Sequence, residues 1–448
     1  MRWCACSASL LILLITAIGL ACKPRPHRYN ILLVSVDTLR ADRLGYTGYP
    51  RDTTPNLDRL AETAYRFTDV ITQAPSTSAS HESLFTSLYP SVHRQSSRRV
   101  SGVPYSIASI LKENGYQTAG FVDGGYLRAE FGFGKGFDLF DDKTRSADLK
   151  AGVARIGLAG INPKVRRWLE SKPRMPFFVF VHTYDVHCPY TPPEPYFSKF
   201  ASWYRGPVVA EGACGHSDFN KERLDHDDFR YLSDLYDGGV AYLDSQLQAL
   251  FELFREHGLF DDMLVVITSD HGESLGERGY VGHNMPYEEQ LHVPMLWRIP
   301  GEDGREVKEP AQNIDVLPTL CAALGIKPAI PLMGTNMLPY MRGEATFHGK
   351  RMRLTEGRFG HAIRFDSRYK LIVFPGGDRA LYDLQTDPLG QVDATSSSPG
   401  QAREMMKSYR RWLAENRPIY RMYEQAGEAV IGEETKDQLK ALGYVQDE

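Results

Sequence analysis

The sequence predicts an α/β protein built on a doubly wound sheet. Two observations carry this: short apolar runs without alternation, which suit strands covered on both faces, and helical patterns lying between them. A third observation locates the site. Three of the apolar runs end in polar residues suited to catalysis, and such sheets gather their ligands beyond the carboxyl ends of the strands.

In chain order, residues 31–36 (ILLVSV) are the first predicted strand and run into Asp37-Thr38-Leu39-Arg40. Residues 55–64 read as a helix, with Thr54 as N-cap and Pro55 at the first position. Residues 177–181 (FFVFV) are the second strand and lead into His182-Thr183-Tyr184-Asp185-Val186-His187. A longer helix covers 232–254. The third strand, 263–268 (MLVVIT), ends in Ser269-Asp270-His271-Gly272-Glu273. If these ends converge, Asp37, Asp270 and His271 form a set able to hold one divalent ion. Taken singly, a strand-end Asp is more often a cap or turn residue. Beyond about residue 345 the pattern changes. Short strands fall within 350–374 and 379–384, separated by Gly376-Gly377-Asp378, and a charged helix covers 401–416. This reads as a small α+β subdomain over 345–448, following a catalytic domain over 28–340.

Composition narrows the function. The 448 residues are 42% hydrophobic and 24% charged, which is ordinary for a globular chain. The 52 Lys+Arg against 56 Asp+Glu give a net charge of −4, so no nucleic-acid partner is expected. Residues 1–22 stand apart. Arg2 is their one charge, and an apolar run follows over 10–21, too short to span a bilayer comfortably. The ending Gly19-Leu20-Ala21-Cys22 is similar to a lipoprotein signal in which Cys22 is lipidated. A cleaved soluble signal peptide is the alternative. Both readings send the protein out of the cytoplasm, to the periplasm or cell envelope, with a membrane anchor through Cys22 in the first. Cys188, Cys214 and Cys321 remain in the body, without zinc-site spacing. Either two of them pair, Cys188 with Cys214 for example, or they are buried thiols.

A series of strings then resembles the sulfatase family of the alkaline phosphatase superfamily. Residues 30–45 (NILLVSVDTLRADRLG) are similar to the family's first metal-binding strand, 54–61 (TPNLDRLA) to a signature, and 74–90 (APSTSASHESLFTSLYP) to the nucleophile segment. Residues 115–141, 185–189 (DVHCP), 268–276 (TSDHGESLG), 282–294 (GHNMPYEEQLHVP), 315–319 (DVLPT) and 381–384 (LYDL) continue the match in order. The resemblance implies a large mixed sheet sandwiched by helices, with a smaller C-terminal α+β part. It also implies one divalent ion on Asp37, Asp270 and His271. It places His187 at the ester oxygens and His283 where many sulfatases carry a lysine beside the leaving group.

The nucleophile departs from the family pattern. Sulfatases convert a Cys or Ser in a C-x-P-x-R string to formylglycine. The alignment puts Thr77 at that position, Ala79 for the Pro and His81 for the Arg. Threonine cannot become formylglycine by that route, so none is expected. Other superfamily members use a threonine there. A hydroxyl bound to a divalent ion can attack in line and pass through a covalent intermediate. Thr77 is therefore expected as nucleophile and in or near the metal shell, against the plainer reading of a polar loop residue. His81 is expected to stand in for the missing arginine. Mixed N and O ligands favour Mn or Zn, although Ca is common in the family.

The expected function is metal-dependent hydrolysis of a sulfuric or phosphoric ester. Its partner is a small anionic ester, or a sulfated or phosphorylated glycan or lipid. Two alternatives stand beside it: a transferase moving a phospho-group onto an envelope lipid or glycan, and an inactive protein that binds anionic glycans.

Overall fold

The computed structural model describes residues 28–96, 99–143, 155–208, 224–423, 427–428 and 431–442. The predicted signal, Cys22 and Cys214 lie outside the described residues. Cys188 is disulfide-bonded and Cys321 is a buried free thiol.

The architecture is a mixed sheet between helices. Its strands are β1 (Asn30–Val36), β2 (Tyr65–Phe67), β3 (Gln117–Val122), β4 (Leu139–Asp141), β5 (Phe177–Thr183), β6 (Met263–Ser269), β7 (Met295–Arg298) and β8 (Glu306–Val307). They lie in the order β8-β2-β7-β6-β1-β5-β3-β4. β1 is central and parallel to both β5 and β6, while β7 is antiparallel to β6 and β2. Every residue of β1, β5 and β6 is buried. The reason is visible along β1. Ile31 and Leu33 enter one core, and Leu32, Val34 and Val36 enter the other. A strand covered on both faces has no polar side to alternate with.

Helices flank these cores. α1 (Pro55–Glu62) has Pro55 in its first turn as expected. Thr54 makes no side-chain cap; its hydroxyl donates to Asp58 and accepts from the Gly45 N–H. α2 (Thr77–Thr86) is buried throughout. α3 (Ile107–Glu113) and α4 (Gly157–Glu170) follow. α5 (His226–Glu256) starts six residues before the predicted helix, because Asp225 and Asp228 form a capping box.

The C-terminal strands β9 (Arg353–Gly357), β10 (Gly360–Arg364), β11 (Tyr369–Val373) and β12 (Arg379–Asp383) make an antiparallel meander. Their residues Leu354, Ile363, Leu371 and Leu381 share a core with Ile31 and Phe178 of the large sheet. Helices α6 (Pro399–Met422) and α7 (Glu433–Ala441) complete the chain order.

A buried charge cluster joins the two sheets. Arg353 donates to Asp69 at 2.6 Å, Arg364 pairs with Glu288, and Lys370 donates to Glu288 at 3.1 Å. Burial alone would raise the Glu288 carboxyl; Arg364 and Lys370 outweigh it and hold the group at about 2. A folded value below the ordinary 4.5 stabilises the protein above that pH, and the gain is lost as pH falls through the folded value. Stability should therefore drop steeply between about pH 4.5 and 2. Glu288→Gln should cost ~3–5 kcal/mol at neutral pH, by leaving buried Lys370 without its carboxylate and Arg364 with only Asp69, 3.5 Å away, and should flatten that acid slope. Denaturant melts across the window check both.

Candidate metal centre and ester site

Register brings the predicted ligands together. Val36 lies beside Thr183 of β5 and Ser269 of β6. The next residues, Asp37 and Asp270, therefore leave the sheet at one edge. Asp37, Asp270 and His271 each offer a ligand atom, all within 4.8 Å of one another, and all three are fully buried.

The surroundings orient these atoms. Asp270 Oδ1 accepts the His271 N–H at 2.8 Å and the Thr38 N–H at 3.2 Å. His271 Nδ1 faces the Gly272 carbonyl at 2.9 Å, so Nδ1 carries the hydrogen and Nε2 presents its lone pair. Asp37 Oδ1, Asp270 Oδ2 and His271 Nε2 are buried without a hydrogen-bond partner. Burial pushes Asp37 up to about 7, against the pull of His271 and of hydrogen bonds from Thr77 and Asp270. Burial and then Asp37 push Asp270 up as well. Two buried carboxylates and an imidazole lone pair around one point suit a divalent cation, which satisfies all three orphaned atoms at once.

Backbone strain marks the same turn. Thr38, a β-branched residue, has φ of 59°, a conformation that costs on the order of 1–3 kcal/mol. Tyr236 of α5 clamps it, donating to the Thr38 carbonyl at 2.8 Å and accepting the Arg40 N–H at 2.9 Å. Arg40 is buried. Its guanidinium binds Asp42, Glu277 and the Glu273 carbonyl, tying the turn after β1 to the loop after β6.

Thr77 opens α2, where unsatisfied N–H groups and the helix dipole favour an anion. Its side chain hydrogen-bonds the Asp37 carboxylate. Ser80, one turn on, donates to the Asp270 carbonyl at 2.6 Å and anchors the helix to the loop after β6. His81 takes a different place from the one expected. Its Nδ1 lies 2.8 Å from the Thr77 carbonyl and its Nε2 2.9 Å from Ser35 Oγ, beneath the first turn of α2 and off the cavity wall. Burial lowers it to about 3, so it is a neutral brace and does not replace an arginine's charge.

His283 turns Nδ1 to Glu273 Oε1 at 3.0 Å, with its ring 4.5 Å from that of His271. His187 sits 5.3 Å from His283, centroid to centroid, with Nδ1 on the Cys188 carbonyl at 2.5 Å. Burial holds His283 down to about 4 and His187 below its ordinary value. Two neighbours of this cluster escaped the sequence reading. His182, at the end of β5, places Nε2 3.4 Å from Asp37 Oδ2. Glu273 orients His283, with the buried Tyr190 beside it. Both stood in the polar strand ends, and that position was their signal.

A cavity of about 850 Å³ opens in front of Thr77 and His283. Tyr126 and Tyr280 line its flanks. Glu356, Arg358 and His361, from the β9–β10 hairpin, line its outer wall. The loop carrying Tyr126 is held by Gln438 of α7, which accepts from the Gly125 N–H and Arg128 and donates to the Asp123 carbonyl at 2.6 Å. A Cβ on Gly124, whose φ is 84°, would lie 2.4 Å from Gln438. This glycine therefore permits the close approach.

Known proteins share this plan. The Sulfatase family profile matches residues 29–326, and the profile of the N-sulphoglucosamine sulphohydrolase C-terminal region matches 276–417. An arylsulfatase of Clostridium perfringens is 24% identical over 80% of this chain and 88% of its own. The phosphonate monoester hydrolase of Agrobacterium radiobacter superposes with a TM-score of 0.72 at 22% identity, over 88% of this chain and 96% of its own. A structure bound to its substrate D-glucosamine-2-N,6-O-disulfate does so at 0.68 and 17%, over 88% and 98%. With the family profile covering most of the chain and the fold matching along its length, the protein belongs to the sulfatase family of ester hydrolases, within the alkaline phosphatase superfamily.

Proposed function

We propose that the protein hydrolyses a singly charged phosphorus or sulfur ester through a covalent intermediate on Thr77, with phosphorus esters preferred. The observation that carries this is the Thr77 hydroxyl at the start of α2, hydrogen-bonded to Asp37 beside three orphaned ligand atoms. A divalent ion held by Asp37, Asp270 and His271 would supply Lewis-acid polarisation of the ester and of a nearby hydroxyl. Mixed oxygen and nitrogen donors favour manganese or zinc over calcium.

The protein's own groups do the rest. Thr77 Oγ attacks phosphorus as the bond to the leaving alcohol breaks. With Nδ1 of neutral His283 turned to Glu273, proton exchange falls to Nε2. It takes the Thr77 proton and returns it to the leaving oxygen. Water then attacks the threonyl ester, giving its proton by the same route and restoring Thr77. A threonyl phosphate opens in this way. A threonyl sulfate lacks the geminal hydroxyl that lets formylglycine eject sulfate. The N-terminal N–H groups of α2 meet the charge that develops on the transferred group.

Charge supply supports a monoanion. His81, His182, His187 and His283 are all held below their ordinary range by burial. Arg358 is the only Lys or Arg among the described residues lining the cavity. An alkyl phosphonate monoester or a phosphodiester carries one charge, whereas a phosphate monoester carries up to two. The expected kcat/KM for matched aryl phosphonate monoester and phosphodiester exceeds that for the sulfate and the phosphomonoester by about tenfold or more, equivalent to ~1.4 kcal/mol. A sulfate preference would overturn the phosphorus assignment. Equal traces of activity in wild type and Thr77→Ala would favour an anionic-glycan-binding protein. The leader fits export with a Cys22 anchor, which radiolabelled palmitate incorporation and its loss in Cys22→Ala would test.

A further inference from the structure

Helix α6 has two unlike faces. Ala402 and Met405 are buried, and Tyr409, Trp412 and Tyr420 pack against the core. The opposite face carries Arg403, Lys407, Arg410, Arg411, Arg417 and Arg421, all exposed. Their spacing of three, four and seven residues sets them along one side of the helix. That row spans about 27 Å at 1.5 Å per residue. Among the described residues none of the six is in an ion pair. A chain of net charge −4 thus concentrates a positive row on one helix.

The row adjoins the ester cavity. Trp412 packs edge-on against Tyr89 at 5.2 Å, next to the short turn that carries Ser91. Ser91 lines the cavity, gives its N–H to Glu356 at 2.8 Å and shares a 3.0 Å hydrogen bond with the Tyr420 hydroxyl. The other side of Tyr420 lines an open depression with Arg417 and Arg421. One tyrosine therefore separates the catalytic cavity from the cationic row. The wall on the cavity side offers hydrogen-bonding groups on Ser91, Gln95, Ser96, Asn284 and His361, with the rings of Tyr126 and Phe359 beside them. Arg358 stands on the same wall and, among the described residues, has no carboxylate partner.

We infer that the outer cavity wall and the exposed face of α6 form one continuous track for a polyanionic glycan chain, whose ester-bearing end enters the cavity. Hydroxyl-binding side chains and aromatic rings suit sugar rings, and a row of guanidinium groups suits repeated sulfate or phosphate groups along the same chain. A membrane surface fits less well. A helix lying on lipid needs an exposed apolar face, and α6 turns most of its apolar residues to the protein core, leaving Met422 at its end as its one exposed large hydrophobic. The inference rests on the ester-hydrolase reading only for what happens to the chain end inside the cavity.

The test measures binding of full-length protein to dextran sulfate by affinity electrophoresis at several salt concentrations, with uncharged dextran as reference. Wild type should bind dextran sulfate, weaken as salt rises and ignore dextran. Arg417→Glu/Arg421→Glu should weaken binding about tenfold or more, roughly 1.4 kcal/mol. The milder Arg417→Gln/Arg421→Gln should fall between, with unfolding temperatures confirming both folds. Lys308→Glu/Lys327→Glu makes the same charge change on exposed residues away from both depressions and should bind as wild type does. Equal binding by wild type and both arginine variants would overturn the track. So would capture of phosphatidylglycerol vesicles through these arginines without dextran sulfate binding, which would make the face a membrane contact. If no ester is hydrolysed while arginine-dependent dextran sulfate binding persists, the proposed activity falls and the track stands.

Discussion

Thr77→Ala is expected to lower kcat/KM for the best ester by roughly 10³–10⁶-fold, the range in which loss of a covalent nucleophile falls. The residual rate would come from the metal centre and the start of α2, which the substitution leaves in place. Alanine is also a strong helix former, so α2 should persist. Thr77→Ser keeps the hydroxyl and should restore much of the rate, which a purely structural role for the methyl group would not predict. Rapid quenching of wild type with a slow aryl phosphonate should trap a peptide spanning 74–90 that carries one phosphonyl group on Thr77. The untreated peptide should have the mass of unmodified threonine. Activity in Thr77→Ala within tenfold of wild type would remove the nucleophile assignment, and a formylglycine found anywhere in that peptide would replace the mechanism.

The sequence was most informative where one strand end carried its own chemistry. Asp37 and Asp270-His271 were legible because each directly follows an apolar run, and the parallel register of β1 and β6 places such ends side by side. The C-terminal meander was legible too, from short apolar runs punctuated by Gly376-Gly377. What stayed hidden depends on contacts between distant segments. Nothing near Arg40 in the sequence announces its partner Glu277, which lies 237 positions away. His81 looked like an anion ligand because alignment places it in a string but does not say where its ring points. On a helix, a side chain folds back over the preceding turn, and His81 accordingly reaches the Thr77 carbonyl four residues earlier. The outer cavity wall was beyond sequence reasoning altogether. Glu356 meets Ser91 across 265 positions, and only the packing of the second sheet onto the first brings them together.

Asp270→Asn should separate stability from metal binding in a way that an ordinary core mutation cannot. The Asn side chain is nearly the same size, and its carbonyl oxygen can still accept the Thr38 and His271 N–H groups that Asp270 Oδ1 accepts now. What changes is the other position, where an amide replaces the orphaned Oδ2. In metal-free protein this removes a buried carboxylate whose ionisation both burial and the neighbouring Asp37 oppose. The apo variant should therefore melt no lower than apo wild type, and higher near neutral pH. Added manganese or zinc should behave oppositely. A ligand present at 1,000 times its Kd stabilises the native state by ~4 kcal/mol. Wild type should show a shift of that order, and the variant almost none, because one anionic ligand of three is gone and affinity falls more than about 100-fold. Ester hydrolysis should fall with it at limiting metal. The measurement is a thermal melt of both proteins after chelation, repeated across a metal titration, with calorimetry for the affinities. An apo variant less stable than apo wild type, together with an unchanged metal shift, would mean that Asp270 serves the fold and that the ion, if bound, sits elsewhere.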